Sequence, residues 1–80
     1  MPRVRVLLFA GLRERVGAGT IEVDVPESAC IADVLAAAER LHPRLVGQRF
    51  ATALNERYVE RDAPVSGDDE VALIPPVSGG

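Results

Sequence analysis

Residues 31–43 read IADVLAAAERLHP, and the fold turns on how this stretch is read. Ile31, Val34, Leu35, Ala38 and Leu41 recur at three- and four-residue spacing, which puts them on one face of an α-helix. His42 precedes Pro43 and is pushed out of the α region, so the helix ends there. At its start Cys30 stands where Ser or Thr would cap, with Asp33 three residues on as half of a capping box. One long helix with a single apolar face calls for one surface to cover.

Working outward toward the N-terminus, Pro26 closes a segment, TIEVDV, in which Ile21, Val23 and Val25 alternate with polar residues. That is the period of a half-buried strand. Gly17 and Gly19 separate it from RVRVLLF at 3–9, where Val4, Val6 and Leu8 face one way and Arg3, Arg5, Leu7 and Phe9 the other. Leu12 to Arg15 reads as a short turn of helix between them, and the two strands are expected to pair as a hairpin. Toward the C-terminus come a strand at 52–54, a turn at Asn55-Glu56-Arg57, a strand at Tyr58-Val59 and a last strand at 70–74. Asn55 suits a positive-φ position.

The order ββαβ(β)β with one main helix predicts an α+β protein of β-grasp, ubiquitin-like type: a mixed sheet of four to five strands packed on that helix. In this arrangement the first and last strands lie parallel at the sheet centre. Residues 1–74 then form the domain, and 75–80, PPVSGG, project from its rigid middle as an extended tail stiffened by Pro75 and Pro76.

Eighty residues bury about 60–65% of the surface of the unfolded chain, enough for one thin two-layer core and no deep pocket. A self-contained active site of several residues is therefore not expected. No apolar run approaches the ~20 residues of a membrane span, and no secretory leader is recognisable, so the expected location is cytoplasmic with no membrane partner. Cys30 is the only cysteine, and no Cys/His cluster suggests a metal. The net charge of −3, with Glu56, Glu60, Asp62, Asp68, Asp69 and Glu70 gathered late, disfavours nucleic acid and points to a basic protein surface as partner. All nine basic residues are arginine, so no side-chain amine can receive an isopeptide bond or act as a catalytic lysine.

The segments LLFAGLRERVG (7–17), ALNERYV (53–59) and above all DEVALIPPVSGG (69–80) resemble the small subunits of molybdopterin synthase, ubiquitin-like sulfur carriers related to the thiamine sulfur carrier. The resemblance covers essentially the whole chain. The family usually has an acidic residue and then glycine before the last strand. Here the turn is Ser66-Gly67-Asp68-Asp69, with the glycine displaced by one position.

The resemblance implies a chemistry. The carboxylate of Gly80 would be adenylated by a partner enzyme that consumes ATP, and sulfur would then displace AMP to leave a thiocarboxylate. That group would deliver sulfur to a pterin precursor in the large subunit. The chain would bind no cofactor of its own and would be a cosubstrate, not a catalyst, with two copies on a dimer of the large subunit. Pro75, Pro76, Val77, Ser78 and Gly79 would thread the terminus into the partner, an extended reach of about 16–20 Å. Glycine at 79 and 80 allows close approach where a Cβ would obstruct.

Leu7, Phe9 and Ile74, on central strands and facing away from the helix, are expected to form an exposed apolar docking patch, unless residues 43–50 cover them. Cys30 reads as a small, partly buried structural residue. His42 reads as a helix-end residue favoured by the dipole. The late acids read as a solvated face with an equal claim to steering a partner. Besides the sulfur carrier of molybdopterin synthase, two classes stay open: a carrier or protein modifier for another pathway, such as thiamine or tRNA thiolation, and an interaction module whose diglycine is idle.

Overall fold

The computed structural model describes residues 1–76. Val77, Ser78, Gly79 and Gly80 lie outside the described residues. The elements run β1 (Arg3–Leu8), α1 (Ala10–Val16), β2 (Thr20–Asp24), α2 (Ile31–Leu41), a 3₁₀ turn (Pro43–Leu45), β3 (Ala51–Leu54), β4 (Arg57–Tyr58) and β5 (Glu70–Ile74). The five strands form one mixed sheet in the order β2-β1-β5-β3-β4. Strands β1 and β5 are parallel neighbours at its centre, with Val6 opposite Val71 and Leu8 opposite Leu73. The other pairings are antiparallel. This is the β-grasp arrangement.

Alternation decides which face is covered. Val4, Val6 and Leu8 of β1, Ile21 and Val23 of β2, and Val71 and Leu73 of β5 are all buried beneath α2, which contributes Ile31, Val34, Leu35, Ala37 and Ala38. Each Val, Leu or Ile among them contributes about 1.5–3 kcal/mol on leaving water, and each alanine less. Leu41 was expected on this face but is 59% exposed. It lies beside Asp24 on β2, the outermost strand of the sheet among the described residues.

Strands β1 and β2 do pair, with Leu7 opposite Thr20 and Arg3 opposite Asp24, but a helix joins them instead of a tight turn. The sequence suggests only Leu12–Arg15 as helical. The helix is seven residues long, opens at Ala10 and drops Leu12 into the end of the core. Gly17 closes it in the left-handed region, φ 84°, donating its N–H to the Arg13 carbonyl at 2.8 Å. Leu45 of the 3₁₀ turn is buried in the same core, so that turn packs on the helix side of the sheet.

Strand β4 begins at Arg57, one residue before the expected Tyr58, because the β3–β4 turn needs only two residues. Asn55 (φ 49°) and Glu56 (φ 72°) are both left-handed, the form whose twist matches a two-residue hairpin. In the turn before β5 the left-handed position falls on Asp68 (φ 70°) and not on Gly67. Asp tolerates that region, and Asp69 secures the turn by accepting the Ser66 N–H at 2.7 Å.

α2 begins as its sequence suggests. The Asp33 carboxylate accepts the Cys30 N–H at 2.9 Å, while the Cys30 thiol faces the Asp33 N–H as the weaker half of the box. His42 ends the helix, donating its backbone N–H to the Ala38 carbonyl at 2.8 Å.

Candidate docking face and tail exit

The face of the sheet away from α2 is assembled from cross-strand rows, and strand register decides each row. Nearest the start of β1 and β5, Arg3 lies opposite Asp24, and Arg5 lies between Glu22 and Glu70. Arg3 binds Asp24 at 3.1 Å and Glu22 at 3.7 Å, and Arg5 binds Glu70 at 3.5 Å. The hydrogen bond and charge of Asp24, and then the charge of Glu22, hold the Arg3 guanidinium more firmly protonated. These exposed pairs fix side-chain positions more than they stabilise the fold.

The next row is Thr20, Leu7, Ala72, Ala53 and Tyr58, and beyond it Ala51 lies opposite Ile74, with Phe9 following β1. The outer face therefore passes from charged to apolar along the direction in which β5 runs. Ala72 and Ala53 are small, so the sheet between Leu7, Phe9, Ile74 and Tyr58 is sunken into a basin of about 310 Å³ rimmed by Glu56 and Glu70. Phe9 is 46% and Tyr58 71% exposed, an arrangement of large apolar side chains with nothing over them among the described residues. The three residues expected to form the docking patch are thus brought to one place.

Beside the basin and sharing Ile74 and Tyr58 with it, a second groove of about 410 Å³ runs between Arg49, Phe50 and Ala51 on one side and Pro75 and Pro76 on the other. Pro75 and Pro76 follow directly from the central strand, so the chain leaves the sheet at the apolar end of its outer face. The expected threading residues Val77, Ser78 and Gly79 and the expected reactive residue Gly80 lie outside the described residues.

Sequence reading missed Ala53, Ala72, Tyr58, Arg49 and Phe50. Alternation alone marks Ala72 as outward-facing. Its neighbours Ala53 and Tyr58 come from strands distant in sequence, and only the pairing of β3 with β5 and β4 brings them alongside. The late acids are not one free face either. Asp69 accepts from Ser66 N–H and from Asn55 Nδ2 at 3.0 Å, and Asn55 Oδ1 accepts from Glu70 N–H at 3.0 Å, a clamp that pins the start of β5 to the end of β3. Cys30 is half-buried, and among the described residues no cluster of ligating side chains could hold a metal. Among them, too, no helix is long and apolar enough to cross a membrane.

Comparison with known proteins gives this geometry a context. The ThiS family matches residues 6–80. The molybdopterin synthase sulfur carrier subunit of Escherichia coli (strain K12) is 38% identical over 80 residues, spanning 96% of this chain and 99% of its own. That of Dictyostelium discoideum is 31% identical over 81 residues, spanning 95% and 94%. The crystal structure of SAMP1 from Haloferax volcanii superposes with a TM-score of 0.91 at 32% identity, covering 98% of this chain and 99% of that one.

Proposed function

This chain belongs to the ThiS family, and on that footing we propose that it is the sulfur-carrier subunit of molybdopterin synthase. The observation that carries the reading is the similarity to subunits of that name over 95% and 96% of this chain, together with a family match that runs to residue 80. The chain is a cosubstrate in this reading. The active site belongs to a larger partner subunit, two copies of each forming a heterotetramer, and the apolar basin at Leu7, Phe9 and Ile74 is where that partner seats.

The chemistry follows from the poor electrophilicity of a carboxylate. A Gly80 carboxylate oxygen attacks the α-phosphorus of ATP in an activating partner, expelling pyrophosphate and giving an acyl-adenylate. A sulfur nucleophile at the oxidation level of hydrosulfide then attacks the Gly80 carbonyl carbon, the bond to the phosphate oxygen breaks, AMP leaves, and the S–H proton is lost. The product thiocarboxylate carries its negative charge on a nucleophilic sulfur and delivers it to the pterin precursor in the large subunit. The fold's contribution is positional: Pro75 and Pro76 start the tail in extended form, which lowers the entropy lost on threading.

A second reading is favoured by the likeness to SAMP1, a small archaeal modifier protein. The same activated terminus would then form an amide with an amine on another protein. Having no lysine, the chain could be such a donor but not an acceptor through a side-chain amine.

The test is the intact mass of the chain after incubation with its activating enzyme, ATP and a sulfur source. Replacement of one oxygen by sulfur, mapped to Gly80, is the expected result. Deleting Gly80, or adding one alanine after it, should abolish this exchange without moving the melting temperature, because the described core is complete between Val4 and Leu73. Deletion shortens the reach by about 3.5 Å, whereas misplacement near 1 Å already costs about a hundredfold in such reactions. Sulfur accepted at the new end of the truncated chain would remove Gly80 from its role.

A further inference from the structure

The parallel pairing of β1 with β5 has an electrostatic consequence. Whatever follows β1 and whatever follows β5 must emerge at the same end of the sheet, so α1 sits at the end from which the tail leaves. The 3₁₀ turn joins it there, since Arg44 Nη1 approaches the Arg15 carbonyl at 3.5 Å. Residues 49–51 line the groove that holds Pro75 and Pro76. The segments 9–19, 42–51 and 74–76 that build this end contain four arginines, Arg13, Arg15, Arg44 and Arg49, and one acid, Glu14.

The remainder of the chain is the reverse, with five arginines and eleven acids. Glu22 and Asp24 close β2 at the far end, Asp68, Asp69 and Glu70 lead into β5, and Glu56 occupies the β3–β4 turn. Glu60 stands on the flank near Arg61. The molecule is therefore polarised along β5, positive where the tail departs although its net charge is −3.

We propose that these four arginines form a basic collar around the root of the tail, and that the collar docks on an acidic rim surrounding the cleft of the partner protein that takes the tail. The proposal rests on the carrier reading above and adds the chemistry of the recognition surface to it. It also reverses the expectation from composition that acids would lead this chain to a basic partner. All four side chains are exposed, and every ion pair among the described residues belongs to Arg3 or Arg5 at the other end. The collar charges are thus available to an incoming surface. Arg13 lies flat over Gly19, its Nε 3.3 Å from where a Cβ would stand, so a side chain at 19 would displace it.

The collar is continuous with the apolar basin through Arg49, Phe50 and Ile74, which fits an interface having an apolar centre and a charged rim. Charges at such a rim act mainly on the rate of association, because they orient the approach before contact. Arginine also suits a position beside an activated acyl group. It supplies charge and forked donors without a nucleophilic amine that could capture the acyl carbon.

The experiment measures stopped-flow association of the full chain with the molybdopterin synthase large subunit from the same genome, between about 50 and about 500 mM salt. The wild-type rate should fall at least about tenfold over that range. An Arg44→Glu, Arg49→Glu chain should associate about tenfold or more slowly at low salt, with a flattened salt dependence. The Arg44→Lys, Arg49→Lys chain should recover most of the rate, which separates charge from packing. Glu27→Gln with Asp68→Asn, at the opposite end and away from the basin, should change it less than about twofold.

Unchanged association of the charge-reversed chain, or control of the rate by the acidic end, would overturn the proposal. Salt-dependent binding of a single-stranded RNA oligomer through the same arginines would overturn it too, by giving the collar another occupant. If the wild-type chain binds the large subunit at no salt concentration, the carrier reading fails first and the collar falls with it. That outcome is visible before any variant is made.

Discussion

Asn55 is the residue whose replacement tests the architecture most sharply, because two separable costs meet there. Its side chain makes two of the clamp's hydrogen bonds, to Asp69 Oδ1 and from Glu70 N–H, both at 3.0 Å, and its backbone is left-handed with φ 49°. Each hydrogen bond contributes about 0.5–1.5 kcal/mol, and exposure puts these in the lower half of that range. Asn55→Gly keeps the backbone freedom and loses the bonds, so it should cost about 1–2 kcal/mol. Asn55→Ala adds the left-handed penalty of about 1–2 kcal/mol and should cost about 2–4 in total. For a domain of this size the first corresponds to a fall in melting temperature of roughly 5–10 °C and the second to roughly twice that. Urea unfolding of both variants, with Asp69→Ala to complete a double-mutant cycle, measures the terms separately. Equal losses for Gly and Ala would remove the backbone term. Losses below about 0.5 kcal/mol in both would mean that the clamp contributes nothing in solution. Sulfur acceptance at Gly80 should be retained by whatever fraction stays folded, since the clamp lies at the end of β5 opposite Pro75.

Two further outcomes bear on the cap and the docking face. Cys30→Thr should raise stability by about 0.5–1 kcal/mol, because a hydroxyl accepts the Asp33 N–H better than a thiol does; a lower melting temperature would show that packing of the half-buried thiol outweighs the cap. Phe9→Glu or Ile74→Glu should weaken binding to the large subunit at least about tenfold while melting shifts by only a few degrees, since both side chains lie outside the core. Undiminished affinity in both variants would move the interface away from the basin.

The sheet and its covering helix were legible because one-dimensional periodicity answers a one-dimensional question: which side chains face the core. Val4, Val6, Leu8, Ile21, Val23, Val25, Ile31, Val34, Leu35 and Ala38 could all be placed that way. Leu41 could not, since it shares the helical face and is exposed only because α2 reaches the sheet's margin. α1 was underestimated because it buries a single residue, Leu12, and so lacks the repeating stripe by which helices are recognised. Leu7, Phe9 and Ile74 were visible as outward residues on strands expected to be central. The alanine floor that turns them into a basin was not, because it depends on the pairing of Ala72 with Ala53, nineteen positions earlier in the chain.

Parallel pairing of the first and last strands explains why docking face, collar and tail coincide. An antiparallel pair would send the end of β5 back toward Arg3, where the outer face is charged and its arginines are already paired with Asp24, Glu22 and Glu70. With β1 and β5 parallel, the chain leaves the sheet beside Phe9, at the apolar end of the face and next to arginines that no carboxylate among the described residues holds. A partner that grips the basin then has the tail's root and the collar within the same footprint. The direction of one strand pair thereby gathers the basin, the four arginines and Pro75-Pro76 at one end of the domain, as the proposed reaction of Gly80 inside a partner requires.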